Sequence, residues 1–281
     1  MSWAGRLELR YRSEDWRDGG RRSVRHDRHD GPLRVLASLY PEAPAVCHDV
    51  LVHPPGGIAG GDTLDLDIDV AEGAHALLTT PGATRFYRSG GAPALQTVDA
   101  RLAPGARLEW LPLEAIVHSG ALAENRLRFT LAPGAEMIGW DLLALGLPAA
   151  GQAFERGRYL QHLELPGRWL ERGLVDAADA RLLDSPLGWD GQRVLGMLWF
   201  AAGGALEATR VEALLDAARE PAATSPLAAR AGATSPHEGV VVLRVLAPRV
   251  EPAMQLLAAV WARWREIAWG LAACAPRVWK T

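Results

Sequence analysis

Residues 63–70 read Thr-Leu-Asp-Leu-Asp-Ile-Asp-Val, so apolar and acidic side chains alternate along this stretch. Because successive side chains of a β-strand point to opposite faces, this period of two predicts a strand with one buried face and one acidic face. Shorter runs of similar residues predict further strands at 7–12, 33–40, 46–52, 75–80, 95–102, 108–111, 126–131 and 159–165. The first two-thirds of the chain is therefore expected to be mainly β.

A short turn sequence recurs beside the predicted strands. It reads Ala-Glu-Gly-Ala at 71–74 and Ala-Pro-Gly-Ala at 103–106 and 132–135, with spacings of 32 and 29 residues. A turn at such a period is typical of strands stacked in layers, as in a β-helix-like architecture. The alternative is that the tetrapeptide is a common turn in an alanine-rich chain. The three copies leave both interpretations open.

The C-terminal part has a helical pattern. Residues 206–219 predict one helix, and residues 254–271 predict a second, with apolar side chains at steps of three and four that include Trp261 and Trp264. Such a stripe is typical of a core face, and an exposed docking face is the alternative. Residues 221–236 are rich in Ala, Thr, Ser and Pro and predict a mobile loop. We expect a single domain over 1–281, mainly β over 1–203 and helix-containing over 204–281.

Composition excludes several classes of protein. The chain has 281 residues, 49% hydrophobic residues and a net charge of -3, with basic residues spread along it. Nucleic acid is therefore not an expected partner. No run of about 20 uncharged apolar residues predicts a membrane span, and the polar N-terminus predicts no export signal. Cys47 and Cys274 form no CxxC pair, which is typical of a reducing compartment. A cytoplasmic protein is expected.

The most distinctive segment is the loop His53-Pro54-Pro55-Gly56-Gly57-Ile58-Ala59-Gly60-Gly61-Asp62. Its glycines suggest a phosphate-binding loop, but Asp62 occupies the lysine position and would repel phosphate, and the GxGxxG spacing also fails. Two prolines and four glycines instead predict a sharp, tightly packed turn. A simple hairpin connection has about two to five residues, and this loop has ten. We therefore interpret the loop as functional.

The order and spacing of several motifs resemble the urease accessory protein UreD family. The resemblance extends from about residue 30 to residue 200, and it rests on these segments: Gly31–Val35, Cys47-His48, the 53–62 loop, Thr79–Ser89, Leu108–Pro112 with Glu114, Trp140-Asp141, Phe154–Gly157 and Glu171-Arg172. It implies a mainly β, non-enzymatic scaffold that binds apo-urease and UreF, with UreG joined through UreF. It also implies no permanently bound cofactor: Ni²⁺ would pass through an internal tunnel, and GTP would belong to UreG.

Four residues at family-matching positions are candidates for a transient nickel path: Asp62, Ser89, Asp141 and Glu171. Ni²⁺ accepts carboxylate oxygen, and buried carboxylates are costly unless they pair, accept hydrogen bonds or meet a cation. For each carboxylate the alternative is a turn cap or an arginine partner, such as Arg172.

Other polar residues support weaker hypotheses. His26-Asp27-Arg28-His29-Asp30 is interpreted as a polar loop, and Cys47 and His48 should point to opposite faces of a strand. Two enzyme hypotheses remain as alternatives. One is a β-fold carbohydrate-active hydrolase that uses the paired carboxylates Asp141 and Glu155, and the other is a metal hydrolase built on His48, His53 and Asp62.

Overall fold

The computed structural model describes residues 2–280, which form 18 strands and three α-helices. The strands are β1 (Ala4–Asp15), β2 (Arg21–Asp30), β3 (Arg34–Val35), β4 (Val46–Val52), β5 (Thr63–Val70), β6 (His75–Thr79), β7 (Thr84–Phe86), β8 (Ala94–Leu102), β9 (Arg107–Leu111), β10 (Ala115–Val117), β11 (Ala121–Leu131), β12 (Glu136–Leu147), β13 (Gln152–Ala153), β14 (Gly157–Leu165), β15 (Trp169–Asp176), β16 (Val194–Ala202), β17 (Ala231–His237) and β18 (Val240–Ala247). The helices are α1 (Ala180–Asp184), α2 (Ala208–Thr224) and α3 (Val250–Trp269).

The strands form two sheets. The front sheet has the order β15-β14-β11-β8-β5-β1-β2, and the back sheet has the order β17-β18-β16-β12-β9-β6-β4-β3, with β7, β10 and β13 attached to its β12 region. Strands β5, β8, β11 and β14 are parallel neighbours in the front sheet, while β4, β6, β9 and β12 are parallel neighbours in the back sheet. The chain passes from one sheet to the other in successive coils.

The recurring turns make these crossings. Each turn links a front strand to the next back strand, and the turns stack through backbone hydrogen bonds from Ala103 N–H to the Val70 carbonyl and from Ala132 N–H to the Leu102 carbonyl, at 2.9 and 3.0 Å. The third residue of each turn is a glycine with positive φ, a conformation that other residues rarely adopt. The predicted mainly β, layered and β-helix-like stack is confirmed.

The alternation in β5 has the predicted consequence for burial. Its leucines, isoleucine and valine are buried between the sheets. Its aspartates face outward, and Asp67 Oδ1 lies 2.6 Å from both Arg10 Nη1 on β1 and Arg101 Nη2 on β8. Strand β5 is thus internal to the front sheet, and Asp67 and Asp69 on its acidic face are paired with arginines of the same chain.

Helices α2 and α3 pack against each other and cover the outer side of the back sheet. Trp261 and Trp264 on α3 are buried, so the predicted core stripe is confirmed and the docking alternative is wrong. None of the helices within residues 2–280 has both the length and the apolar content required to cross a membrane.

Two predicted loops are regular structure. Residues 26–30 belong to β2, which pairs with β1, and most of 221–236 belongs to the end of α2 and to β17. Both predictions failed because polar and Pro-rich composition describes local preference, whereas strand pairing supplies hydrogen bonds from distant residues. Pro221 lies inside α2 and lacks the N–H that would bond to the Ala217 carbonyl, and the helix ends three residues later at Thr224.

Candidate functional site

Three amide side chains form a polar row inside the front sheet. Gln96 on β8, Asn125 on β11 and Gln161 on β14 are aligned in register and occupy inward positions of their strands. Gln96 Nε2 donates to Asn125 Oδ1 at 3.1 Å, and Asn125 Nδ2 donates to Gln161 Oε1 at 3.3 Å. We call these three residues the amide row. It carries polar groups across a core that is mostly apolar.

A cavity of about 230 Å³ lies at one end of the amide row. Its polar lining comes from Gln161 and Glu171 of the front sheet and from Asp141 and Arg244 of the back sheet, and apolar side chains such as Met197 complete the wall. Asp141 on β12 is aligned with Met197 on β16, which is aligned with Arg244 on β18. We call this space the Asp141 cavity.

Asp141 is the most unusual ionisable group of this cavity. No hydrogen bond or ion pair within residues 2–280 reaches its carboxyl, although part of its surface faces the cavity. Burial raises the pKa of Asp141 from 3.8 to about 7, because the charged form loses most of its hydration. Close to neutral pH this carboxyl can therefore exchange a proton for a cation.

Glu171 and Arg244 close the cavity at the border of the two sheets. Glu171 is on β15 and Arg244 on β18, and Arg244 Nη2 contacts Glu171 Oε2 in an ion pair. The guanidinium carbon of Arg244 also lies 5.9 Å from the ring centre of Trp169. The side chains of Arg244 and Glu171 are 38% and 36% exposed, so this ion pair is near solvent while Asp141 lies deeper.

A second cavity, of about 250 Å³, lies at the other end of the amide row. Gln96 lines it together with His53, Gly57 and Thr80. Burial lowers the pKa of His53, which favours the neutral imidazole that binds metal ions. We call this space the His53 cavity. The amide row joins it to the Asp141 cavity.

The loop 53–62 is held by close backbone contacts. A Cβ atom at Gly60 would lie 2.2 Å from Ser89 Oγ, and one at Gly57 would lie 2.2 Å from Tyr87 Cε2, so both positions require glycine. Asp62 is buried and accepts hydrogen bonds from Trp3 N–H at 2.7 Å and from Ala59 N–H at 2.9 Å. The loop is thereby fixed at the edge of the His53 cavity.

Two of the four predicted nickel-path residues line the Asp141 cavity, and the other two lie in loops. Asp141 and Glu171 line the same cavity, and the arginine partner of Glu171 is Arg244 rather than Arg172. Asp62 and Ser89 lie in neighbouring loops and bond to backbone groups, since the Ser89 hydroxyl accepts from Gly91 N–H at 3.0 Å. Their role in metal transfer stays a prediction.

Neither enzyme hypothesis has all of its residues in one place. His48 lies on the helix side of the back sheet, where its Nε2 is 2.6 Å from Glu42 Oε1, whereas His53 lies between the sheets. Glu155 is exposed and does not line the Asp141 cavity. Within residues 2–280, no group of three or more His, Cys, Asp or Glu side chains is arranged to hold a metal ion.

The amide row and Arg244 were missed by the sequence analysis. A local signal was available for the row, because each amide interrupts a run of small or apolar residues at every second position of its strand, as Asn125 does between Ala123 and Leu127. No local signal connected Arg244 with Glu171, which is 73 residues away.

Comparison with known proteins agrees with the sequence resemblance. The family model of the UreD urease accessory protein matches residues 4–280. The chain is 64% identical to the urease accessory protein UreD of Leptothrix cholodnii and 61% identical to that of Variovorax paradoxus, each over 281 residues and the full length of both chains. It is 60% identical to that of Paracidovorax citrulli over 279 residues, or 99% of each chain. The chain therefore belongs to the UreD family of urease accessory proteins, and its role lies in urease maturation rather than in catalysis.

Proposed function

We propose that this chain is a scaffold that binds apo-urease and UreF, with UreG joined through UreF, and that it conducts Ni²⁺ between its two sheets toward the urease active site. The route would connect the His53 cavity to the Asp141 cavity along the amide row. Imidazole, amide oxygen and carboxylate are all ligands that Ni²⁺ accepts.

The observation that carries the proposal is the state of Asp141. An enclosed carboxyl without a hydrogen bond or ion pair lowers stability unless a proton or a cation compensates its charge. Glu171 lines the same cavity and can supply a second carboxylate. The pair forms a weak site, which suits an ion in transit because tight binding would prevent its release.

The test is co-expression of urease and its maturation proteins with the wild-type chain, without it, or with the double variant Asp141→Asn, Glu171→Gln. We expect urease made without the chain to be nearly free of nickel, and the double variant to lower the nickel content about tenfold while it still co-purifies with urease. Asp99→Asn with Glu164→Gln is the matched control, because these carboxylates face outward on β8 and β14 of the same sheet.

The possible outcomes separate the two parts of the proposal. Full urease activity without the chain would rule out the scaffold role. Normal nickel content with the Asp141 and Glu171 double variant would rule out the route through this cavity.

A further inference from the structure

We propose that Arg244 is the resting counter-ion of Glu171, and that a divalent cation enters the Asp141 cavity by displacing the Arg244 guanidinium. This inference rests on the proposed function, because it describes how access to the same cavity is controlled. It assigns control of cation entry to a residue of strand β18.

The geometry places Arg244 where an entering ion must compete with it. Its guanidinium pairs with Glu171 across the border between the sheets, and both side chains line the Asp141 cavity. Asp141 is two strands away from Arg244 in the same register row, which corresponds to about 10 Å between their Cα atoms. The ion pair is thus the outer part of the cavity, and Asp141 is the inner part.

The charges around the cavity explain why the arginine matters. Among the described residues that line it, the ionisable side chains are Asp141, Glu171 and Arg244. With both carboxylates ionised, the net charge is -1 while Arg244 is present and would be -2 without it. While Arg244 is in place, the charge of Glu171 is neutralised, and an entering divalent cation is attracted only by Asp141. The cation can interact with both carboxylates only if the guanidinium moves away.

The strength of the ion pair suits an exchangeable contact. Both side chains are more than one-third exposed, and ion pairs with this exposure contribute little to stability. A buried pair would be far more costly to break. The Trp169 ring beneath the guanidinium gives Arg244 a second contact that survives the loss of Glu171. The side chain can thus leave the carboxylate without becoming disordered.

The test measures Ni²⁺ binding directly, by equilibrium dialysis of the full chain without a histidine tag. We expect Arg244→Met, which keeps the length of the side chain and removes its charge, to bind Ni²⁺ about 2- to 5-fold more tightly than the wild type. Arg244→Lys should keep the wild-type affinity. Adding Asp141→Asn and Glu171→Gln to Arg244→Met should cancel the gain. If Arg244→Met does not fold, Arg244→Gln replaces it with the same expectation.

The matched control is Arg263→Met. Arg263 is 42% exposed and pairs with Glu220 between α3 and α2, outside the cavity. The Arg263→Met substitution should leave the Ni²⁺ affinity unchanged. An Arg244→Met variant that binds Ni²⁺ no better than the wild type overturns the inference, and so does a gain that persists after both carboxylates are neutralised.

The experiment on Arg244 can fail or succeed independently of the experiment on the proposed function. If the Asp141 and Glu171 double variant fails to load urease but Arg244→Met leaves Ni²⁺ affinity unchanged, the route stands and the counter-ion role is wrong. If the double variant loads urease normally and Arg244→Met still gains affinity through Asp141, the cavity is a metal site controlled by Arg244 but not the route.

Discussion

The indole N–H of Trp261 donates a 2.6 Å hydrogen bond to Oε2 of Glu109, which is 152 residues earlier in the chain. Glu109 lies on β9 with no exposed surface, and its Oε1 is 2.8 Å from His75 Nε2 and 3.2 Å from Arg265 Nε. One buried carboxylate on the back sheet therefore fastens helix α3 through two of its residues. Both this polar contact and the surrounding apolar packing hold the helix on the back sheet.

Replacing Glu109 with alanine should destabilise the protein by about 3–5 kcal/mol. The change leaves the Trp261 N–H without its acceptor and removes one of the two carboxylates that face the buried Arg265. Urea unfolding followed by tryptophan fluorescence measures the loss. The control is Glu266→Ala, an exposed position on the same helix, which should change stability by less than about 0.5 kcal/mol. Equal effects of the two substitutions would contradict this account of Glu109.

Asp141→Asn should remove a pH-dependent loss of stability. Because burial raises the pKa of Asp141 from 3.8 to about 7, the folded chain binds this proton more tightly than the unfolded chain. The penalty is therefore absent below pH 3.8, grows as the pH rises toward about 7, and is fully present above that value.

The size of this effect is set by the water in the cavity. Since part of Asp141 faces that space, we expect a penalty on the order of 2 kcal/mol at alkaline pH. The stability advantage of Asp141→Asn should grow by about 0.5 kcal/mol or more between about pH 5 and about pH 8. Urea titrations of both proteins at the two pH values measure it. An advantage that does not change with pH would show that the carboxyl is well hydrated.

Gly60→Ala should destabilise the 53–62 loop. A Cβ atom there would meet Ser89 Oγ at 2.2 Å and the Ala92 carbonyl at 2.7 Å, so the loop or its neighbour must move. We expect a loss of about 1–3 kcal/mol, measured as a lower thermal midpoint. Gly82→Ala is the control, since a Cβ atom at Gly82 meets nothing within 4 Å. A midpoint unchanged by Gly60→Ala would mean that the two loops are not tightly packed.

Asn125→Leu should interrupt the amide row while it keeps the branched shape and the number of heavy atoms of the side chain. It leaves the Gln96 amide N–H without an acceptor and removes one donor to Gln161, which should cost about 1–3 kcal/mol of stability. If the row is part of the nickel route, nickel content per urease should also fall in co-expression. Arg126→Gln, on the outward face of the same strand, should affect neither measurement strongly. Normal nickel content with a folded Asn125→Leu protein would limit the row to a structural role.

Several features of the fold could be predicted from local sequence alone. The alternation over 63–70 predicted β5 with its buried and acidic faces, and the repeated turns indicated the stacked coils, because strand periodicity and turn geometry depend on neighbouring residues. Strands β12 and β16 were not predicted. They are mostly apolar on both faces, since one face packs on the front sheet and the other on the helices, and a period of two then disappears.

The sequence by itself determined the family, the mainly β layered fold and the candidates Asp141 and Glu171. Only the tertiary structure decided that these two residues line one cavity, that Arg244 is the partner of Glu171, and that the amide row leads from that cavity to His53. The physical reason is that such neighbours come from strands of two sheets. Their distances depend on strand register and on the stacking of coils, which are fixed by hydrogen bonds and packing between distant segments rather than by any one segment.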